Sequence, residues 1–417
     1  MSSSKHSVLP GSDLPHQGRW RQLIALLAAN GVAWTGSRLV GIAIPWFVLT
    51  TTGSAFKTGA VVAAQMGPYV IAQALSGPFI DRVGPRKVSV IGDVIVASTI
   101  SMVPVLHSLD LLSFPLLLVL LAVVGAADGP ANSAKSVFIP GVAETANVPL
   151  ERVTGLVGTV ERTATVVGPA VAGVVVAAWG PTTSLWITAA LSLTGALIIA
   201  LGMPRVNASP SGEGPGYVEE LKEGARFLRD DRFLLSLYSV IAISNLIDTA
   251  VFSVLLPVWA EQTGHGPAAI GLIASVLSAT SIISSLIATV YGHRLPRRIT
   301  YLVGFLVGGL PRFVVLAMAV PLGTVVVVHA FAGLFIGFLN PIIGALMFER
   351  VPAEMLGRVR TLGGSLAWAG IPFGGLVAGL LVGTIGLSPA FLVLGVVHSV
   401  VVVVPAFRPE WTQMKRG

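Results

Sequence analysis

The stretch GPFIDRVGPRK, Gly77–Lys87, packs four charges and two glycines into eleven residues between two long apolar runs. Gly77 permits close approach of a neighbouring helix, and Gly84 allows a tight turn. Asp81 can pair with a nearby arginine and can face the positive N-terminal end of another helix. Arg82, Arg86 and Lys87 mark the side of a membrane on which the segment lies if its flanks cross that membrane. A crossing helix needs about 20 mostly apolar residues. The flanking runs, 58–80 and 87–107, meet that length.

Similar runs continue in both directions. They fall at 21–50, 58–80, 87–107, 111–139, 153–178 and 182–203, then at 232–261, 268–292, 299–320, 322–347, 359–384 and 388–407. Composition agrees. Hydrophobic residues make up 54% of the 417 and charged residues 11%, against roughly 25% charged in soluble domains. So little charge cannot cover a water-facing surface of this size, so lipid is the expected outer solvent. The sequence predicts an all-α membrane protein with twelve transmembrane helices.

Basic residues set the orientation. With a cytoplasmic N-terminus, the loops after even-numbered spans lie on the same side. They carry Arg82, Arg86 and Lys87; Arg152; Arg294, Arg297 and Arg298; and Arg358 and Arg360. Arg38, Arg162 and Arg312 read as intramembrane, Lys57 as external, and every other basic residue as lying on or near the inner side. This placement accounts for the net charge of +7 without nucleic acid. No basic patch with interleaved aromatics occurs. Cysteine is absent, and the seven histidines form no HExxH or close pair, so neither metal nor cofactor is expected. Residues 1–18 read as a disordered cytoplasmic tail, and 408–417 as a C-terminal cytoplasmic tail.

The longest polar interruption, 204–231, begins with the flexible NASPSGEGPG, Asn207–Gly216. Val218, Leu221, Ala225 and Leu228 then repeat at helical spacing, which predicts an amphipathic helix on the cytoplasmic face. It would join a bundle at 19–203 to one at 232–407. Internal repeats support two related halves. GPAVAGVVV at Gly168 recurs as GGLVAGLLV at Gly374, offset by 206, and Arg152-Val153 recurs as Arg358-Val359 at the same offset. Gly77–Lys87 has an echo in ATVYGHRLPRR, Ala288–Arg298, with Gly292 in place of Asp81.

Gly77, Asp81, Arg82, Gly84, Arg86 and Lys87 match the signature loop of the major facilitator superfamily, which the chain therefore resembles. The resemblance implies two pseudo-symmetric six-helix bundles and a loop that latches the halves and breaks during transport. Gly155, Gly168, Pro169 and Gly173 resemble the Gly/Pro motif of the fifth span in the antiporter branch, with Ala164 and Ala172 replacing two glycines. In that branch a bend at the proline accompanies export. Many proton-coupled drug antiporters carry an arginine about four residues before a glycine of the fourth span. Here Leu121 precedes Gly125, so that route is absent. The texture, including EELKEGARFLRDD from Glu219, looks closer to the macrolide-efflux and enterobactin-exporter branch.

Charge at membrane depth is costly and usually faces a cavity or a partner. Asn30, Trp34, Arg38 and Gly41 share one helical face of the first span. Asp128, Asn132 and Lys135 cluster around Gly129-Pro130 in the fourth. Glu161 lies on the small-residue stripe of the fifth, with Arg162 one step around. Asp248, Phe252, Leu255 and Trp259 share a face of the seventh, suited to a bulky or cationic ligand. Arg312 stands alone in the ninth, and His329 reads as a packing histidine. Structural ion pairs among Asp128, Glu161, Arg38 and Arg162 are one expectation. Proton coupling through Asp128 or Glu161 is the other, because a carboxyl alternately exposed to water and lipid binds its proton differently in each state.

These readings converge on a proton-coupled secondary exporter of amphiphilic or hydrophobic small molecules. Asn30, Trp34, Asp248, Phe252 and Trp259 are the substrate candidates. A monomer in the lipid bilayer is expected, with protons and the small-molecule substrate as its partners. No GxxxxGK[ST] loop occurs, which excludes direct use of ATP through such a loop. An importer of a nutrient or peptide would share the fold. A membrane enzyme or receptor would need a catalytic cluster at the membrane surface, and none is present.

Overall fold

The computed structural model describes residues 16–204, 217–291, 294–352 and 355–414. Residues 1–15, the linker from Asn207 to Gly216, and Gly292 lie outside the described residues. All regular structure among the described residues is helical.

Ten helices among the described residues are long and apolar enough to cross a membrane. One of them, Leu150–Gly202, runs for 53 residues and contains two crossings, the fifth and sixth spans. The chain leaves helical geometry at Gly180, where φ is 80° and ψ is 165°. A Cβ is poorly tolerated at that φ. Gly180→Ala is therefore expected to cost about 1–2 kcal/mol, measurable as a lower midpoint of thermal unfolding in detergent. An unchanged midpoint would mean that the turn adapts without strain. Dihedral angles stay helical through Pro169, and within Leu150–Gly202 only Gly180, the turn between the fifth and sixth spans, departs from them. The shorter helix Ala55–Ala74 supplies the second span and completes twelve.

The Gly77–Lys87 segment is not a loop. Its first part belongs to an eight-residue helix, Ser76–Val83, and the chain turns at Gly84 (φ 93°) before the third span starts at Pro85. The second span correspondingly ends earlier than the apolar run suggested. The first span is His16–Thr52, and the fourth, Phe114–Ala146, is 33 residues long. At 1.5 Å per residue the fourth span is about 50 Å long, well beyond a ~30 Å hydrocarbon core.

In the second half, the seventh span is helical at Arg232–Ala250, passes through a π turn at Val251–Leu255, and resumes at Leu256–Gln262. The eighth and ninth are Gly266–Tyr291 and Arg297–Ala317. The tenth is broken between Leu322–Ile336 and Leu339–Arg350, and the eleventh between Leu356–Trp368 and Ile371–Ile385. The twelfth is Leu387–Ala406. The helix Tyr217–Asp230 precedes the seventh span, and its Leu228 is buried with Phe233 and Leu234. The C-terminal segment does not hang free through its described part: Pro409–Met414 forms a 3₁₀ turn that buries Trp411 completely, with Nε1 donating to Ser236 Oγ at 3.2 Å.

The sequence repeats correspond to repeated contacts. Arg86, at the start of the third span, donates to the carbonyl of Ala200 at the end of the sixth. Arg298, at the start of the ninth, donates to Ala406 O at the end of the twelfth, at 2.6 Å. Each arginine satisfies a carbonyl that the helix end leaves without an intrahelical donor.

The halves meet by the same rule. Gly271 of the eighth span lies against the Pro169 carbonyl and Gly173 of the fifth. Gly59 of the second lies against the Gly375 carbonyl of the eleventh, and Gly379 against Ala55 and Phe56. Gly173 and Gly379 are 206 residues apart, the offset of the sequence repeat. Lipid supplies no hydrophobic drive to join helices, so backbones allowed to touch by missing side chains gain dispersion contacts instead. Both seams lie toward the membrane side opposite the chain termini. The halves are closed there.

Candidate functional site

Between the halves is a cavity of about 360 Å³, formed by the first, fifth, seventh and eighth spans. Its wall includes Ser37, Arg38 and Gly41, then Thr165 and Pro169, then Asp248 and Phe252, then Ile270 and Leu277. Apolar groups dominate, with one cation and one anion contributed by opposite halves. The volume is in the range of sites for drug-sized ligands.

Arg38 is held by the fifth span. Its guanidinium donates to Thr165 Oγ1 at 3.0 Å, and its aliphatic stem lies against Gly168. A Cβ on Gly168 would come within 2.8 Å of Arg38 Cγ, so the Gly/Pro stripe makes room for the arginine as well as for the eighth span. Gly155, by contrast, has open space around its Cβ direction. Asp248 accepts from Arg312 at 2.5 Å, so Arg312 does not stand alone in the ninth span. The Arg312 side chain is 4% exposed, while 41% of Asp248 remains open. Arg312 Nε has no partner, which ties the guanidinium to this one carboxylate.

Of the seventh-span candidates, Asp248 and Phe252 line the cavity but Trp259 does not. Trp259 is buried and packs beside the His265 ring at 5.4 Å between centroids. The π turn at Val251–Leu255 is the cause: extra residues in one turn rotate everything beyond it away from the face that ideal α spacing implies. Asn30 is also buried, its amide donating to Leu26 O at 2.9 Å, and Trp34 is half-buried. His329 is buried, with Nδ1 2.8 Å from Val325 O, as a packing histidine would be.

The expected ion pairs among Asp128, Glu161, Arg38 and Arg162 do not form. Glu161 and Arg162 are exposed, and Asp128 accepts from Asn132 at 2.9 Å. Glu161 is still near enough to Arg38 to act on it electrostatically. The ion pair inside the first bundle is a different one, which the sequence did not single out. Lys135 Nζ donates to Asp93 Oδ1 at 2.8 Å, with side-chain exposures of 0% and 6%. Lys135 is therefore inside the first bundle rather than at its basic rim. Asp93 sits in the third run, and the rule that a charge at membrane depth has a partner is the signal that would have found it. In the signature segment, Asp81, Arg82 and Lys87 are exposed, and Asp81 makes no ion pair among the described residues. No side chain meets the Cβ direction of Gly77.

The family model described as Major Facilitator Superfamily matches the chain twice, over residues 26–244 and 238–413. The chain belongs to the major facilitator superfamily. It is a multi-pass membrane transporter of that superfamily, not an enzyme. It is 32% identical over 380 residues to the multidrug efflux pump Tap of Mycobacterium tuberculosis, covering 88% of this chain and 89% of the relative. Macrolide efflux protein A of Streptococcus pyogenes is 23% identical, with 90% and 93% covered. Among solved superfamily structures, the nucleoside transporter NupG superposes with a TM-score of 0.74 at 14% identity, over 95% of this chain and all of that one. A bacterial homologue of the lysosomal transporter Spinster, inward-facing and unoccupied, gives 0.71 at 13%, with 96% and 99% covered. The two structural likenesses establish the fold alone.

Proposed function

We propose that this transporter exports amphiphilic or hydrophobic small molecules, antibiotics among them, in exchange for protons. The observation that carries the proposal is the cavity between the halves. Its wall is largely apolar, and only Arg38 and Asp248 offer full charges. Such a wall recognises size and apolar area and adds a weak preference for charge, which suits a range of drug-like compounds. Similarity to a multidrug efflux pump and a macrolide efflux protein supports the same reading. Substrate would enter from the side opposite the glycine seams, and rocking of the halves about those seams would expose it on the other side.

In this reading the protein acts as a monomer in the plasma membrane with both termini in the cytoplasm. The linker at 204–231 then joins bundles at 19–203 and 232–407 on the inner face. Arg86, Arg297, Arg298 and Arg350 gather at the end bearing the termini, which supports that orientation. Cells lacking the protein are expected to accumulate more of a panel of macrolides and lipophilic dyes. In proteoliposomes, export should stop when the pH gradient is collapsed; persistence at the same rate would end the proton reading.

Asp128 and Glu161 are the candidates for carrying that proton. Neutralising the coupling carboxylate, by Asp128→Asn or Glu161→Gln, should lower gradient-driven export at least about tenfold, a loss of about 1.4 kcal/mol. Full coupled export in both variants would exclude both residues.

A further inference from the structure

A second space lies inside the first bundle. It is small, about 30 Å³, and its lining includes Ser37, Gln65, Asp93, Asp128, Thr188 and Ser192, from the first, second, third, fourth and sixth spans. A water molecule needs roughly 10–15 Å³ on this measure and two to four polar partners. The chamber offers both. Lys135 holds Asp93 Oδ1, but Asp93 Oδ2 is buried and has no hydrogen-bond partner. That oxygen points toward Gly195 of the sixth span, where a Cβ would lie 3.5 Å from it. Asp93 itself is only 4% exposed.

The charges around this space do not cancel. Asp93 and Asp128 both line it, and Lys135, outside the lining, bonds Asp93 alone. Asn132 and Tyr69 face Asp128, and no charged side chain of the sixth span lines the chamber. Arg38, on the first span, turns instead to Thr165 and the central cavity. A lone negative charge inside a membrane protein is strongly disfavoured, and binding one proton removes it. Ser37 lines both the chamber and the central cavity, and its hydroxyl donates to Ala33 O at 3.1 Å.

We infer that this chamber is the proton site of the transporter: one proton is held between Asp93 and Asp128 and exchanges with the central cavity past Ser37. The inference rests on the proton-driven reading above and pairs Asp128 with Asp93 in place of Glu161. Proton and substrate then occupy separate spaces. Coupling runs through the first and fourth helices rather than through competition for one carboxylate. Lys135 keeps one carboxylate ionised, which leaves a single proton for the pair.

Infrared difference spectroscopy of the purified protein tests this without a substrate. Acidification should produce a band from a buried protonated carboxyl. Asp93→Asn and Asp128→Asn should each abolish the band, because the remaining carboxylate is then neutralised by Lys135. Lys135→Met should do the opposite, preserving the band and moving its midpoint up by more than about one pH unit. Ser37→Val should leave the band but slow its exchange in heavy water. A band unaffected by Asp93→Asn overturns the inference, as does a midpoint lowered by Lys135→Met. Displacement of the band by sodium at constant pH would mean that a metal cation is the occupant, which also overturns it. Export insensitive to the pH gradient would instead defeat the coupling reading while leaving the spectroscopic result standing.

Discussion

Replacing Gly59 with valine is expected to abolish active export and to drive the protein out of the conformation closed opposite its termini. Even a single Cβ on Gly59 would overlap the Gly375 carbonyl, and neither backbone belongs to a flexible side chain that could move aside. Overpacking a tight contact costs about 1–3 kcal/mol, which corresponds to roughly a 5- to 150-fold shift between two conformations. Gly271→Val should act alike, because Gly271 meets the Pro169 carbonyl at the symmetry-related seam. The natural chain has no cysteine, so a single introduced one reports cleanly. Ser278→Cys lines the central cavity. In the Gly59→Val background it should react at least about tenfold faster with an impermeant maleimide applied from the side remote from the termini. Equal rates would show that the seam is not the gate.

Asp248→Ala is expected to have the second large effect, on stability and export together. The substitution leaves the Arg312 guanidinium buried without its carboxylate, and its Nε already lacks a partner. Removing one partner of a buried pair costs about 3–5 kcal/mol. Asp248 is partly open to the cavity, and water there can compensate some of the loss, so about 2–4 kcal/mol is expected. Unfolding in detergent measures it. Asp248→Ala/Arg312→Leu should recover most of the stability, because no charge is then stranded, while the cavity still lacks its anion. If the double variant is no more stable than the single one, the pair is not what holds the seventh and ninth spans together. If it also exports cationic dyes at the normal rate, Asp248 has no part in substrate binding.

The two halves differ in how they satisfy charge. Asp93–Lys135 is sealed inside the first bundle, whereas Asp248–Arg312 opens onto the cavity. The Gly/Pro stripe of the fifth span serves two ends at once. Gly168 admits the stem of Arg38, and Pro169 and Gly173 admit the backbone of the eighth span. One short motif therefore positions a cavity cation and closes the seam above it.

The sequence by itself determined the solvent of this protein, its helical class, its paired halves and its superfamily. Each of those follows from properties carried along the chain: apolar run length, the placement of arginine, and a repeat at a constant offset. The signature residues Gly77, Asp81, Arg82, Gly84, Arg86 and Lys87 were legible for the same reason, since their meaning lies in spacing. Only the tertiary structure decided which charges pair. Asp93 and Lys135 are 42 residues apart and Asp248 and Arg312 are 64 apart, and helix packing brings them together without leaving a periodic mark. The direction of Trp259 was out of reach too, because a π turn at Val251–Leu255 breaks the spacing on which a helical face is read. The Gly77–Lys87 stretch shows both sides: its spacing named the superfamily, while the fold showed Asp81 exposed and without an ion pair among the described residues.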